Sequence, residues 1–145
     1  MLKISILIML LCSSFFANEI NKSVVKVFAT NAKANYKYPW QTSIIQSSTG
    51  SGAIIKGNLI LTAAHVVAGS RLLEVKKENN PKKYVARIKF ISHQADLAIL
   101  QIEDKEFFTN TKHLELSTNV KIRDEVSVVG YPIGGKNIST TTGII

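Results

Sequence analysis

The sequence predicts an all-β domain built as an antiparallel barrel or sandwich. Short runs of β-branched and other apolar residues recur along most of the chain, and Gly, Asn and Pro separate them. Only two short stretches favour a helix. The chain has 145 residues, which is enough for one domain with a hydrophobic core.

Each predicted strand is bounded by a turn residue or a polar break. Pro39 precedes the second run, Lys56-Gly57-Asn58 separates the third run from the fourth, and residues 79–83 have the composition of an exposed loop or hairpin tip. The predicted strands, in order, are residues 24–28, 42–45, 52–55, 59–62, 72–75, 84–91, 97–102, 120–122 and 126–129, followed by a last apolar run at 139–145.

The two helical stretches are short. Residues 63–68 follow Thr62 and stop at Gly69, a residue typical of the position just after a helix. Residues 107–112 have a weaker helical pattern. The segment Gly50-Ser51-Gly52 predicts a turn into a strand, because glycine permits backbone angles and close approaches that other residues do not.

The first 17 residues have the composition of a secretory signal peptide. Lys3 provides a positive start, an apolar stretch follows, and small residues precede the polar segment 18–22. We therefore expect a signal peptide at residues 1–17 and a periplasmic or secreted protein. The apolar stretch is shorter than the roughly 20 residues of a spanning helix, so we expect no transmembrane segment in the mature chain. A buried N-terminal helix or an uncleaved anchor is the alternative.

The only cysteine, Cys12, lies in this segment. The mature chain would then offer no disulfide, no cysteine-based zinc site and no cysteine nucleophile. The bulky Leu11 argues against lipid attachment at Cys12. Export without disulfides is typical of the bacterial periplasm.

The formal net charge is +8, and the lysines that carry it are dispersed along the chain. Aromatic residues do not alternate with them as a stacking platform for single-stranded nucleic acid requires. We therefore expect a solvated basic surface and no specific nucleic-acid partner.

Two residues have the chemistry of a hydrolytic site. His65 ends the segment Thr-Ala-Ala-His, and Asp96 begins Asp-Leu-Ala-Ile-Leu. In a nucleophilic triad a histidine moves the proton and a carboxylate orients that histidine. The apolar flanks predict that Asp96 is buried beside His65. The alternative is an ordinary buried histidine with a satisfied hydrogen bond.

Five segments contain or surround these residues in a fixed order: residues 50–55 (Gly-Ser-Gly-Ala-Ile-Ile), 59–67 (Leu-Ile-Leu-Thr-Ala-Ala-His-Val-Val), 96–100, 128–135 (Val-Val-Gly-Tyr-Pro-Ile-Gly-Gly) and 139–145. Their order resembles the HtrA/Deg branch of the trypsin-like serine proteases. The resemblance covers residues 24–145, and residues 25–28 and 38–41 are similar to plant-type members in particular.

The resemblance implies a two-barrel fold with the active site in the cleft between the barrels. His65 would be the general base and Asp96 its orienting carboxylate, with no metal and no cofactor. The family's nucleophile lies in a Gly-Asn-Ser-Gly-Gly segment, which these 145 residues lack. The run 139–145 reads as an unfinished strand. We therefore expect residues 18–145 to be the truncated N-terminal part of a protease domain, with one barrel and the start of the second.

The expected activity of the parent protein is that of a serine endopeptidase acting on exported, unfolded or misfolded polypeptides. The rival hypothesis is a non-catalytic peptide-binding barrel in which His65 and Asp96 are remnants. A Gly-Asn-Ser-Gly-Gly segment downstream would favour the enzyme. Tyr36, Tyr38 and Trp40 predict core or rim packing, and the resemblance adds a homotrimer contact as a weaker alternative.

Three other candidate sites have a simpler interpretation. Ser51 lacks the Gly-x-Ser-x-Gly pattern of a nucleophile elbow, because Ala53 occupies the last position. Gly134-Gly135 lacks the Lys-Ser/Thr of a phosphate-binding loop. A zinc site would need the imidazoles of His65, His93 and His113 together. No His-Glu-x-x-His pairing supports such a site, and His93 is expected at the surface.

Overall fold

The computed structural model describes residues 20–33, 36–40, 44–132 and 135–145. The predicted signal peptide at residues 1–17 lies outside the described residues, as do Thr42, Ser43 and Gly134. The described chain forms a closed barrel of six antiparallel strands and a separate two-stranded antiparallel sheet. The predicted all-β class is confirmed, with the barrel and not the sandwich as its form.

Within the described residues, eight strands and two short helical elements are defined. The strands are β1 (Val24–Lys33), β2 (Ile44–Ile55), β3 (Leu59–Thr62), β4 (Ser70–Lys77), β5 (Lys83–Ser92), β6 (Leu97–Ile102), β7 (Glu125–Gly130) and β8 (Ser139–Ile144). The helix α1 spans Ala64–Val67, and a 3₁₀ helix, η1, spans Lys105–Phe108.

The barrel closes because β1 pairs with both β2 and β4. Around the barrel the strands follow the order β1, β2, β3, β6, β5 and β4. Side chains alternate across each strand, so every second residue of the apolar runs points inward. The inward set is buried and forms one core; its members include Val25, Val27, Ile54, Ile60, Val75, Tyr84, Leu100 and Ile102.

The second helical stretch lies earlier than predicted. The 3₁₀ helix η1 begins where the Asp104 carboxylate accepts a hydrogen bond from the Glu106 amide at 3.0 Å, and it ends at Phe108. This geometry buries the Phe107 ring against Tyr84, with the two ring centres 5.0 Å apart. The side-chain cap and the buried ring therefore set the helix position, and the prediction of residues 107–112 was wrong.

The segment 50–52 is not a turn. The strand β2 is continuous from Ile44 to Ile55 and pairs with β1 from Ile44 to Ala53. A glycine is nevertheless required at position 52, because a Cβ there would lie 2.8 Å from the Ile60 side chain. The prediction of two strands separated by a turn was therefore wrong.

A long connector links the barrel to β7. Its Leu114 amide donates to the Ile54 carbonyl at 2.8 Å, which ties the connector to β2. The predicted strand at 120–122 is absent from this described segment, because Arg123 has a positive φ and the Lys121 amide donates to the Asp124 carboxylate. The remaining predicted strands are present, with bounds that differ by a few residues. Within the described residues, no helix has the length and apolar character to cross a membrane.

Candidate active site

His65 lies on α1, directly after the edge of the barrel. The strand β3 ends at Thr62, and Ala63 has an extended backbone before the helix begins. Gly50 of β2 leaves the space in which α1 packs, because a Cβ there would lie 2.7 Å from both Val66 methyl groups. The predicted helix at residues 63–68 is confirmed as Ala64–Val67, followed by Gly69 with φ +67°.

Asp96 ends the tight turn that leads into β6. Its φ is +50°, a conformation that Asp adopts more readily than most non-glycine residues. The turn places the Asp96 carbonyl where it accepts a hydrogen bond from the Ala64 amide at 3.2 Å. The backbone of Asp96 is therefore joined to the start of the helix that carries His65.

The side chains of His65 and Asp96 are in direct contact. The Asp96 Oδ1 atom accepts from the backbone amide of His65 at 2.9 Å. Its Oδ2 atom lies 2.7 Å from Nδ1 of the imidazole. Because an ionised carboxylate can only accept, this geometry places the proton of a neutral imidazole on Nδ1. The Nε2 atom then has the free lone pair of a base.

The carboxylate is held in its charged form by these contacts. The hydrogen bond from the His65 amide, followed by that from the His65 ring, lowers the pKa of Asp96 below its ordinary value, although desolvation opposes this effect. An ionised Asp96 is the state that can orient the imidazole and stabilise its protonated form.

The expected burial of Asp96 was wrong for the described structure. The side chains of His65 and Asp96 are 72% and 52% exposed. The turn lies at the rim of the barrel, and its neighbour Leu97 is also exposed. The apolar flanks of Asp96 are buried only where they enter β6, as at Ala98.

The alternative sites do not assemble. Among the described residues, no group of three or more His, Cys, Asp or Glu side chains could hold a metal ion, and this part of the chain includes all three histidines. His93 is exposed, as predicted. The expected core or rim packing of the aromatic group was wrong, because Tyr36 and Trp40 are 92% and 79% exposed.

Lys26 is an exception to the expected solvated basic surface. Lys26 is only 9% exposed. Its Nζ atom donates to the Gly135 carbonyl at 2.5 Å and lies between the rings of Phe28 and Tyr131, 5.4 and 5.7 Å from their centres. Strand alternation places Lys26 outside the barrel, but the segment that covers it is 109 residues away in sequence. No local signal could have revealed this burial.

The sequence profile of the trypsin-like peptidase domain family matches residues 50–145. The chain is 43% identical over 123 residues to the mitochondrial protease Do-like 4 of Arabidopsis thaliana. It is 39% identical over 124 residues to a serine protease DegP homolog of Plasmodium falciparum. These alignments cover 85% and 86% of this chain, but 24% and 14% of the two relatives.

The fold is also similar to a solved structure. The crystal structure of the active form of a protease from M. tuberculosis superposes with a TM-score of 0.71 at 26% sequence identity. The match covers 88% of this chain and 49% of that protease. The similarity therefore extends over most of the described barrel and the sheet that follows it, and the expected resemblance is confirmed.

Proposed function

Because the chain belongs to the trypsin-like peptidase domain family, we propose that it is the N-terminal part of the protease domain of a serine endopeptidase of the HtrA/Deg type. His65 is the general base and Asp96 is the carboxylate that orients it. The nucleophilic serine and the amides that bind the oxyanion come from outside these 145 residues.

The contact between His65 and Asp96 carries the proposal. Two hydrogen bonds fix the carboxylate, one to the imidazole at 2.7 Å and one to the backbone of the same histidine at 2.9 Å. A surface ion pair would need only the contact between the carboxylate and the imidazole. The second holds Asp96 in one orientation towards the ring, which is what a base of defined tautomer requires.

The chemistry follows from this geometry. The Nε2 atom of His65 accepts the proton of the serine hydroxyl as that oxygen attacks the carbonyl carbon of a peptide bond. His65 then donates the proton to the leaving amine nitrogen, and an acyl-enzyme ester remains. In the second step His65 takes a proton from water as the water oxygen attacks the ester carbonyl carbon. His65 then donates that proton to the departing serine oxygen, which frees the serine and releases the carboxylic acid product. Asp96 stays ionised throughout.

The substrates proposed are unfolded or misfolded polypeptides, which the relationship to Do-like proteases supports. Residues 1–17 are proposed as a signal peptide, and residues 18–145 as part of an exported protease domain. The exposed Tyr36 and Trp40 support a contact between copies in a homotrimer. Because a signal peptide directs export, the proposed protein is periplasmic or secreted.

The test is turnover of casein and of a short peptide by the full-length protein that contains this chain. Replacement of His65 by Ala should lower kcat by about 10⁶-fold. The Asp96→Asn variant should lower it by about 10⁴-fold, the loss known for a triad whose histidine has the wrong tautomer. His93→Ala is the matched control, since His93 is exposed in the same turn as Asp96, and should keep full activity.

The result also decides between the enzyme and a non-catalytic peptide-binding barrel. A serine-directed phosphonate should label the full-length protein, and His65→Ala should abolish the labelling. Binding of unfolded casein without turnover, unaffected by His65→Ala, would refute the proposal and favour the binding module.

A further inference from the structure

Ser51 lies in the middle of β2 and is bonded in two directions. Its carbonyl accepts a hydrogen bond from the Thr62 hydroxyl at 2.8 Å, and Thr62 is the last residue of β3, three positions before His65. Its own hydroxyl accepts from the Tyr131 amide at 2.8 Å. Tyr131 directly follows β7. Ser51 therefore connects the strand that leads to His65 with the strand of the second sheet.

The contact with β7 is close as well as polar. A Cβ on Gly130 would lie 2.8 Å from Ser51 Oγ and 3.3 Å from Ser51 Cβ. Only a residue without a side chain lets β7 approach this closely. Lys26 provides a second link in the same place, through its bond to Gly135 and its position beside the Tyr131 ring. Burial, and then the charge of Glu78, raises the pKa of Tyr131 to about 12.

We propose that Ser51 is a positioning residue that sets the distance between the strand leading to His65 and the β7–β8 sheet. This inference rests on the proposed function, in which the serine comes from the part of the protein that continues after β8. A general base acts only when the hydroxyl is within hydrogen-bond reach, so the relation between the two sheets determines the rate.

The same contacts argue against Ser51 as a nucleophile. Its oxygen accepts a hydrogen bond from the Tyr131 amide, and its hydroxyl donates to the Tyr131 carbonyl, with 3.5 Å between the two oxygens. The Ser51 hydroxyl is therefore bonded to the backbone amide and carbonyl of Tyr131. This arrangement suits a residue that fixes the spacing between two sheets.

The experiment uses the full-length protein with Ser51→Ala, Ser51→Thr and the control Ser48→Ala. Ser48 is an exposed serine of the same strand. We expect Ser51→Ala to lower kcat for a short peptide about tenfold with KM unchanged. Ser51→Thr keeps the hydroxyl and should retain most of the activity. Ser48→Ala should match the unmodified protein.

Hydrogen exchange of the Tyr131 amide gives a readout that does not depend on turnover. This amide should exchange about tenfold faster in Ser51→Ala and at the original rate in Ser51→Thr. An unchanged Tyr131 exchange rate in Ser51→Ala would overturn the inference, as would a kcat within about twofold of the original.

A double-variant cycle identifies the contact itself. Gly130→Ala should slow turnover because its methyl group displaces Ser51 Oγ. The combined Ser51→Ala and Gly130→Ala protein should be no slower than Ser51→Ala alone, since both changes break the same contact. Losses that simply multiply would count against a shared contact. If the unmodified protein has no turnover, the proposed function fails, and the Tyr131 exchange still decides whether Ser51 joins the two sheets.

Discussion

Asp96 is the residue on which the candidate site depends. Its carbonyl accepts the Ala64 amide, one carboxylate oxygen accepts the His65 amide, and the other contacts the His65 ring. One residue in a left-handed conformation thus satisfies two amides at the start of α1, which a helix leaves without intrahelical partners. Asp96 both fixes the helix and orients the imidazole on it.

This double role predicts a pH dependence of stability. The folded-state pKa of Asp96 is lowered, so the unfolded chain binds its proton more readily. The stability contributed by Asp96 is therefore complete above the unfolded pKa of about 3.9 and is lost as the pH falls through the lower folded value. We expect the difference in urea midpoint between the original protein and Asp96→Asn to shrink from pH 6 towards pH 2.

The control for this prediction is Glu125→Gln. Glu125 is an exposed carboxylate of β7 to which the described residues give no hydrogen bond. Its difference in midpoint should not change over the same pH range. An Asp96→Asn difference that is equally constant would contradict the role of the charged carboxylate.

At the scale of elements, α1 is placed by a glycine on another strand. The four-residue helix has too few internal hydrogen bonds to be stable alone. It is held by its contact with β2, where the Val66 side chain occupies the space above Gly50. The position of His65 therefore depends on packing between α1 and the barrel.

Gly50→Ala should disrupt this packing. Both Val66 methyl groups and its Cβ lie within 3.3 Å of the added methyl group, so rotation of the valine cannot relieve the overlap. We expect a loss of about 1–3 kcal/mol in the free energy of unfolding, measured by urea unfolding of the full-length protein, and slower turnover because His65 moves. Ser48→Ala, at an exposed position of the same strand, should change neither quantity.

The strands that could be predicted are those whose pattern is local. The strands β3 and β6 have the predicted bounds. Each is a short apolar run between turn residues, and every second side chain of the run is buried in the core. The strand β2 was missed in part, because residues 46–49 are polar and exposed and are strands only through pairing with β1. The His65–Asp96 contact followed from the motifs, but the positive φ of Asp96 and the link from Ser51 to Tyr131 depend on tertiary contacts.

At the scale of the molecule, the barrel has a complete core and the β7–β8 sheet does not. Among the residues that the structure describes, fourteen buried residues form the barrel cluster, and all of them lie in the barrel strands, α1 or η1. The β8 strand is exposed along its length. His65 and Asp96 therefore lie on the part of the chain that has a buried core, to which no described residue of the β7–β8 sheet belongs.

A polypeptide of these 145 residues should not hydrolyse casein. It contains the proposed base His65 and the proposed orienting carboxylate Asp96 but no Gly-Asn-Ser-Gly-Gly segment, and the hydroxyl of Ser51 is engaged by Tyr131. Release of acid-soluble peptides should equal that of the same polypeptide with His65→Ala. Turnover that disappears in the His65→Ala polypeptide would refute this expectation and show that a serine within the chain can act.

The same polypeptide should also self-associate. Large apolar side chains of the connector and the β7–β8 sheet are exposed, including Leu116 (75%), Val128 (68%) and Ile144 (76%). Exposed apolar side chains favour association in water, and Val128 and Ile144 lie on opposite faces of the sheet, since Val128 pairs with Thr141 and Ile144 with Glu125. A sheet of two strands is also barely stable alone. We expect light scattering to show concentration-dependent oligomers, and Val128→Lys with Ile144→Lys to reduce them while the barrel keeps its thermal transition. A monodisperse monomer with a single cooperative transition would mean that the sheet is stable as it stands, and would argue against a second barrel built upon it.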